Sequence, residues 1–244
     1  MKTNPFVRRS GVFALLITFL FTTHSIAQKT VNASDIAQDI KSGKSISYEN
    51  VTIIGDLDMT FMNEKISELP AKKRWYKNGG SNAVEEQIEV KISFVNCVFE
   101  NNVYAYYHDE ESEYTFIAHF ENDVTFKGCT FKENAMFKYS DFEQSANFKG
   151  SKFHGKTTFK YATFDENVSF ADTNFEELAI FKYTKFKEGV SFNNATFEDT
   201  LDIKYVEVNG DFNIDNMTVE KNIDSKYSDI NGKGFAKFLL DNRN

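Results

Sequence analysis

Phe137-Lys138-Tyr139-Ser140-Asp141-Phe142-Glu143-Gln144-Ser145-Ala146-Asn147-Phe148-Lys149-Gly150-Ser151-Lys152-Phe153 sets four phenylalanines five, six and five residues apart. The same alternation runs without a slip from Phe126 through Phe131, Phe159, Phe164, Phe170, Phe175, Phe181, Phe186 and Phe192 to Phe197. Ile203, Val208, Ile214 and Val219 continue it. Two residues before each Phe stands a small residue, among them Cys129, Ala135, Ser140, Ala146, Ser151, Thr157 and Ala162. On a helix, at about 100° per residue, steps of five and six scatter the rings and leave no apolar stripe. On a strand, a residue and the one two before it share a face. The units are rich in Thr, Phe, Asn and Gly and poor in Leu, a composition for strands and corners. The pattern predicts short strands, each pointing a Phe and a small residue inward, wound into a β-solenoid.

A longer period fixes the coil. Phe-Lys-Tyr occurs at Phe137, Phe159 and Phe181, and Ile203-Lys204-Tyr205 follows, each 22 residues after the last. The opposite half-turn reads Phe-Lys-Gly at Phe126 and Phe148, then drifts to Phe170-Ala171-Asp172 and Phe192-Asn193-Asn194. One coil is therefore 22 residues with four short sides, and equivalent residues stack about 4.8 Å apart. On these motifs the chain resembles the Phe-rich members of the pentapeptide-repeat family over about residues 92–220. The resemblance implies an all-β, right-handed, four-sided β-helix with the Phe and the small residue inside. Leucine-rich repeats share a 22-residue period but need a Leu-x-x-Leu-x-Leu pattern that is absent here.

The first 27 residues read as a secretory signal peptide: basic Lys2, Arg8 and Arg9, an apolar Gly11 to Phe21, and Ser25-Ile26-Ala27 before the cut. The apolar run is short for a membrane span, so no stable membrane insertion is expected after cleavage. The expected location is periplasmic or extracellular. Without the leader, 25 basic face 36 acidic residues, a net charge of −11 that does not attract nucleic acid. Residues 28–45 read as a capping helix around Ile36 and Ile40, with Gly43 as its stop. Residues 46–234 form the solenoid, with Ile46, Val51, Ile53, Ile54 and Leu57 as core of a degenerate first coil. Insertions are expected at 60–88 and, as a hairpin, at 101–114. Residues 235–244, with Phe235 and Phe238, cap the last coil or form a homodimer contact.

Little in the chain points to chemistry. There is no nucleophile elbow, phosphate loop or His/Cys cluster, and no catalytic, cofactor or metal residue is nominated. Asp109, Glu110, Glu111 and Glu113 lack the spacing of a calcium loop and read as a solvated turn. Lys138, Lys160, Lys182 and Lys204 form one column, with Tyr139, Tyr161, Tyr183 and Tyr205 beside it. Such a surface can bind a glycan or an anionic polymer, or it can be a self-stacked corner with lysine stems laid across it. Arg74, Trp75 and Tyr76 mark a basic aromatic loop, either a partner site or a mate for the acidic hairpin tip. Cys97 and Cys129 fall at equivalent small positions on neighbouring coils, near enough for a disulfide yet pointing inward in register, which favours free thiols.

The function expected from this reading is an exported, non-enzymatic scaffold or binding protein without cofactor, holding a glycan or another protein. Two alternatives stay open. A β-helix enzyme on polysaccharide would need an acid/base set in a surface groove. A DNA-mimicking topoisomerase inhibitor, as some relatives in that family are, agrees with the acidic charge but not with the leader or the lysine column.

Overall fold

The computed structural model describes residues 29–69 and 82–241. The predicted leader and the Arg74, Trp75 and Tyr76 loop lie outside the described residues. The chain winds as a four-sided β-helix, each coil laying one short strand on each of four parallel sheets. The first full coil lays Ile46–Glu49 on the first face, Val51–Ile54 on the second, Leu57–Asp58 on the third and Ala83–Ile88 on the fourth. Most strands are two residues long, one side chain in and one out. Phe131 pairs with Phe99 above and Phe153 below, and Phe142 with Phe120 and Phe164. Backbone hydrogen bonds pass from coil to coil, as from Phe137 N–H to the Thr158 carbonyl at 2.8 Å.

The interior is a set of phenylalanine stacks. Phe131, Phe153, Phe175 and Phe197 lie on one line with centroids 4.6, 4.7 and 4.8 Å apart and planes within 7°. Phe148 meets Phe159 edge-on at 5.2 Å and 76°, so the stacks lock laterally. Each buried Phe stabilises by about 1.5–3 kcal/mol through burial alone, and well-placed ring pairs add about 0.5–1.5 kcal/mol. The small positions lie among the rings, and their hydroxyls are satisfied: Thr184 donates to the Phe159 carbonyl and Thr173 to that of Phe170, both at 2.7 Å.

Both ends are closed. Lys29–Asn32 is a strand that adds to the second face beside Val51–Ile54, so the stretch read as helix alone begins with four extended residues. Helix α1, Ala33–Lys41, then buries Ala33, Ile36 and Ile40 against the first coil. A single turn, α2, spans Met62–Lys65. At the far end Phe212 takes an inward place and leaves Ile214 and Val219 only half-buried. Helix α3, Phe235–Asp241, covers Phe212 through Phe235 at 6.3 Å and Phe238 at 5.1 Å.

Three local readings are corrected. Ile54 is outward and 42% exposed, because only alternate residues of its strand face in. Residues Ala83–Ile88 are a strand of the fourth face paired with Thr115–Phe120, so the first insertion ends before them. Val103–Tyr104 stays in the third face between Leu57–Asp58 and Ala135–Met136. The hairpin is correspondingly smaller, Tyr106–His108 running antiparallel to Thr115–Ile117.

Candidate functional site

Two of the four corners turn through the left-handed backbone region on coil after coil, and they are built very differently. Between the first and second faces the turning residues are Asn96, Gly128, Gly150, Asp172, Asn194 and Asn216, types that tolerate positive φ. At Gly128 a Cβ would lie 2.5 Å from Asn96 Oδ1, so a side chain there would displace the Asn96 amide. Between the third and fourth faces the same conformation is held by Tyr139, Tyr161, Tyr183, Tyr205 and Tyr227, at φ from 55° to 64°. For a bulky residue the left-handed region costs about 1–2 kcal/mol. Five successive coils accept that strain at one corner and avoid it at the other.

The tyrosines form an external ladder. Tyr139–Tyr161, Tyr161–Tyr183, Tyr183–Tyr205 and Tyr205–Tyr227 stack at 5.0, 4.6, 4.5 and 5.0 Å. Each pair returns about 0.5–1.5 kcal/mol, close to the strain, so stability alone gives little reason to prefer Tyr to Asn. Because each inner ring is sandwiched, both its faces are occupied, and the ladder offers solvent ring edges and phenol oxygens. Tyr183 titrates higher than an ordinary phenol because its surroundings desolvate it and because Tyr205 and Tyr161 flank it. It therefore stays a neutral hydroxyl.

Beside the ladder runs the lysine column. Lys138 Nζ lies 4.6 Å from the centres of both Tyr106 and Tyr139 and donates to the Tyr106 hydroxyl at 3.1 Å. Lys160 and Lys182 Nζ each lie 5.1 Å from the ring of their own coil. Lys204 differs: Asp224 at 3.0 Å and Asp202 at 3.6 Å neutralise it. Elsewhere many lysines meet a carboxylate one coil away, as Lys132 meets Glu100 and Lys187 meets Asp165, both at 2.8 Å. Among the described residues, Lys138, Lys160 and Lys182 have no such ion pair, as is also true of Lys127, Lys152, Lys156 and Lys185; what sets the three apart is their alignment along the tyrosines. Lys160 titrates below an ordinary lysine, through desolvation and then the charges of Lys138 and Lys182. The column is bounded by the hairpin's Tyr106 at one end and by Asp202 and Asp224 at the other.

Other ionisable groups serve the fold. His119 Nδ1 lies 3.0 Å from Asp141 Oδ2 on the fourth face. The hydrogen bond to Asp141 raises the His119 value, and burial opposes it. Burial pushes the Asp141 carboxyl up, but hydrogen bonds from His119 and Thr163 outweigh it and hold the carboxyl low. Cys97 and Cys129 stack on neighbouring coils as two buried free thiols. Each thiol donates to a backbone carbonyl, Cys97 to Val95 and Cys129 to Phe94, both at 3.4 Å, and the neighbouring Cys97 thiol and burial push Cys129 up. Among the described residues no group of three or more His, Cys, Asp or Glu is placed to hold a metal. No described helix is long and apolar enough to cross a membrane.

The structure thus brings Lys138, Lys160 and Lys182 together with Tyr139, Tyr161, Tyr183 and Tyr205, and adds Tyr227 and Tyr106, which the sequence reading left out. Tyr227 was legible, being 22 residues after Tyr205. Tyr106 was not, because the hairpin carries it to the column from outside the repeat.

A family model described as pentapeptide repeats (9 copies) matches residues 118–151, 137–183 and 159–207. Residues 118–207 are thus similar to that family, whose repeats wind as a right-handed β-helix. No curated protein and no solved structure matches the chain.

Proposed function

We propose that the protein is an exported, non-enzymatic binding scaffold that engages its partner, a glycan or another protein, through the lysine–tyrosine corner. Export is supported by the basic start, the apolar run and the Ser25-Ile26-Ala27 cleavage pattern. The family's repeats generally make non-enzymatic scaffolds. One observation carries the site: three successive lysines without acid partners, in an acidic protein, lie along tyrosines held in a strained backbone conformation. Residues held in costly backbone conformations cluster at functional sites, which makes this corner the candidate contact surface. A rigid solenoid presents such a surface without reorganisation, which lowers the entropic cost of binding.

The test is a glycan-array and protein cross-linking screen on the purified chain and on K138Q/K160Q/K182Q. Ligands retained by the parent and lost by the variant are the expected result. A variant that captures the same ligands equally well without the three charges would place the binding surface elsewhere.

A further inference from the structure

We infer that the lysine–tyrosine corner recognises a linear acidic polysaccharide lying along the solenoid axis; the inference rests on the binding role proposed above and names its ligand class. The charges recur on successive coils rather than around a pocket, so they fit a ligand that repeats along a line. The tyrosine ladder extends this line to about 19 Å, summed over its four ring spacings. Lysine ammonium groups are compact point charges with three donors, suited to carboxylate or sulfate without a fixed planar geometry. The adjoining phenols both donate and accept, which matches sugar hydroxyls between the acidic groups.

The same geometry disfavours the other polyanions. Single-stranded nucleic acids bind through bases stacked on open aromatic faces, and here the inner tyrosines close each other's faces at 4.5–5.0 Å. Protein partners anchor large side chains in central pockets. Two depressions, of about 850 and 700 Å³, lie towards the two ends of the solenoid; the first reaches Tyr227 at the end of the ladder, and neither is lined by Lys138, Lys160 or Lys182. Tyr227, 75% exposed at the end of the ladder, has the freest ring, where a sugar can stack against it.

Lys160 supplies the electrostatic motive. It is desolvated and crowded by Lys138 and Lys182, and Asp202 is the one carboxylate among its main electrostatic neighbours. An oxyanion on each side of it relieves that crowding, so the column is arranged for an anion that the protein itself does not provide.

The experiment measures affinity of the purified chain for polygalacturonate and for dextran sulfate. Controls are fully methyl-esterified polygalacturonate, polyglutamate and an oligo-dT strand. At least one acidic glycan is expected to bind, at least tenfold more weakly to K138Q/K160Q/K182Q and not detectably in 1 M salt, where screening acts within about 3 Å. The methyl ester should not bind. K152Q, a charge change on the second face, should leave affinity within twofold. Equal binding of the methyl ester, or a triple variant within twofold of the parent, overturns the inference. So does equal, column-dependent binding of polyglutamate or oligo-dT, although the binding role of the corner would then stand. If nothing in either screen depends on the three lysines, both fall.

Discussion

Replacing Tyr161 by Asn separates what the tyrosine ladder contributes to stability from what it is there to do. The substitution breaks two stacks, with Tyr139 at 5.0 Å and Tyr183 at 4.6 Å, together about 1–3 kcal/mol. It also removes the Lys160 contact at the ring margin, at most about 0.5 kcal/mol because both ring faces are already stacked. Against this, Asn at φ 62° relieves most of the left-handed strain, about 1–2 kcal/mol. The net expectation is a destabilisation of about 1 kcal/mol, below about 3 kcal/mol even where the ranges are least favourable. In thermal unfolding that is a fall of about 2–4 °C for a chain of this size. The internal standard is Phe159→Ala. Phe159 is wholly buried, stacks on Phe137 at 5.0 Å and Phe181 at 5.2 Å, and meets Phe148 and Phe170 edge-on. Truncating such a ring costs about 3–5 kcal/mol. If Tyr161→Asn proves as damaging as Phe159→Ala in parallel urea titrations, the external ladder is a structural spine and the strain reasoning is wrong.

Phe159→Asp should abolish cooperative unfolding, because an unpaired carboxylate would be buried at mid-stack; a normal transition by circular dichroism would refute the inward stack. The His119–Asp141 pair gives a pH dependence with a definite sign. The His119 value is raised above its ordinary 6.5, so its stabilisation is full below pH 6.5 and is lost as pH rises through the raised value. The Asp141 value is depressed below its ordinary 3.8, so its stabilisation is present above pH 3.8 and is lost as pH falls through the depressed value. H119Q should therefore reduce the urea midpoint most near pH 5.5 and least near pH 9; an equal loss at both would deny the ion pair.

The fold was legible because a solenoid writes its geometry into sequence periodicity. Phe126 to Phe197 fixed both the half-turn and the coil, and the stacks at 4.6–5.6 Å follow from that register. Legibility failed where one side chain is not replaced by its like one coil on. Ala83–Ile88 has no Phe on the beat, yet its register with Thr115–Phe120 places it in the fourth face. Ile54 looked like core by hydropathy but follows Ile53, which is already inward. At the site, the sequence located the lysines and tyrosines but not their conformation. The eleven-residue half-period maps Tyr139 onto Gly128 and Gly150, so the left-handed corner was encoded, masked by a residue type that rarely adopts it. The loss of acid partners at Lys138, Lys160 and Lys182 required three dimensions, since carboxylates one coil away neutralise Lys132 and Lys187.

The unfolding free energy of K138Q/K160Q/K182Q tests most directly whether the column exists for contact or for stability. Two neighbouring lysine pairs at coil spacing repel by about 1 kcal/mol each in water, and three ring contacts return about 0.5 kcal/mol each. Those effects nearly cancel, so the variant should unfold within about 1 kcal/mol of the parent, in either direction, while column-dependent binding disappears. A loss of more than about 2 kcal/mol, well outside that balance, would mean that the lysines hold the solenoid together and would contradict their assignment to a binding surface.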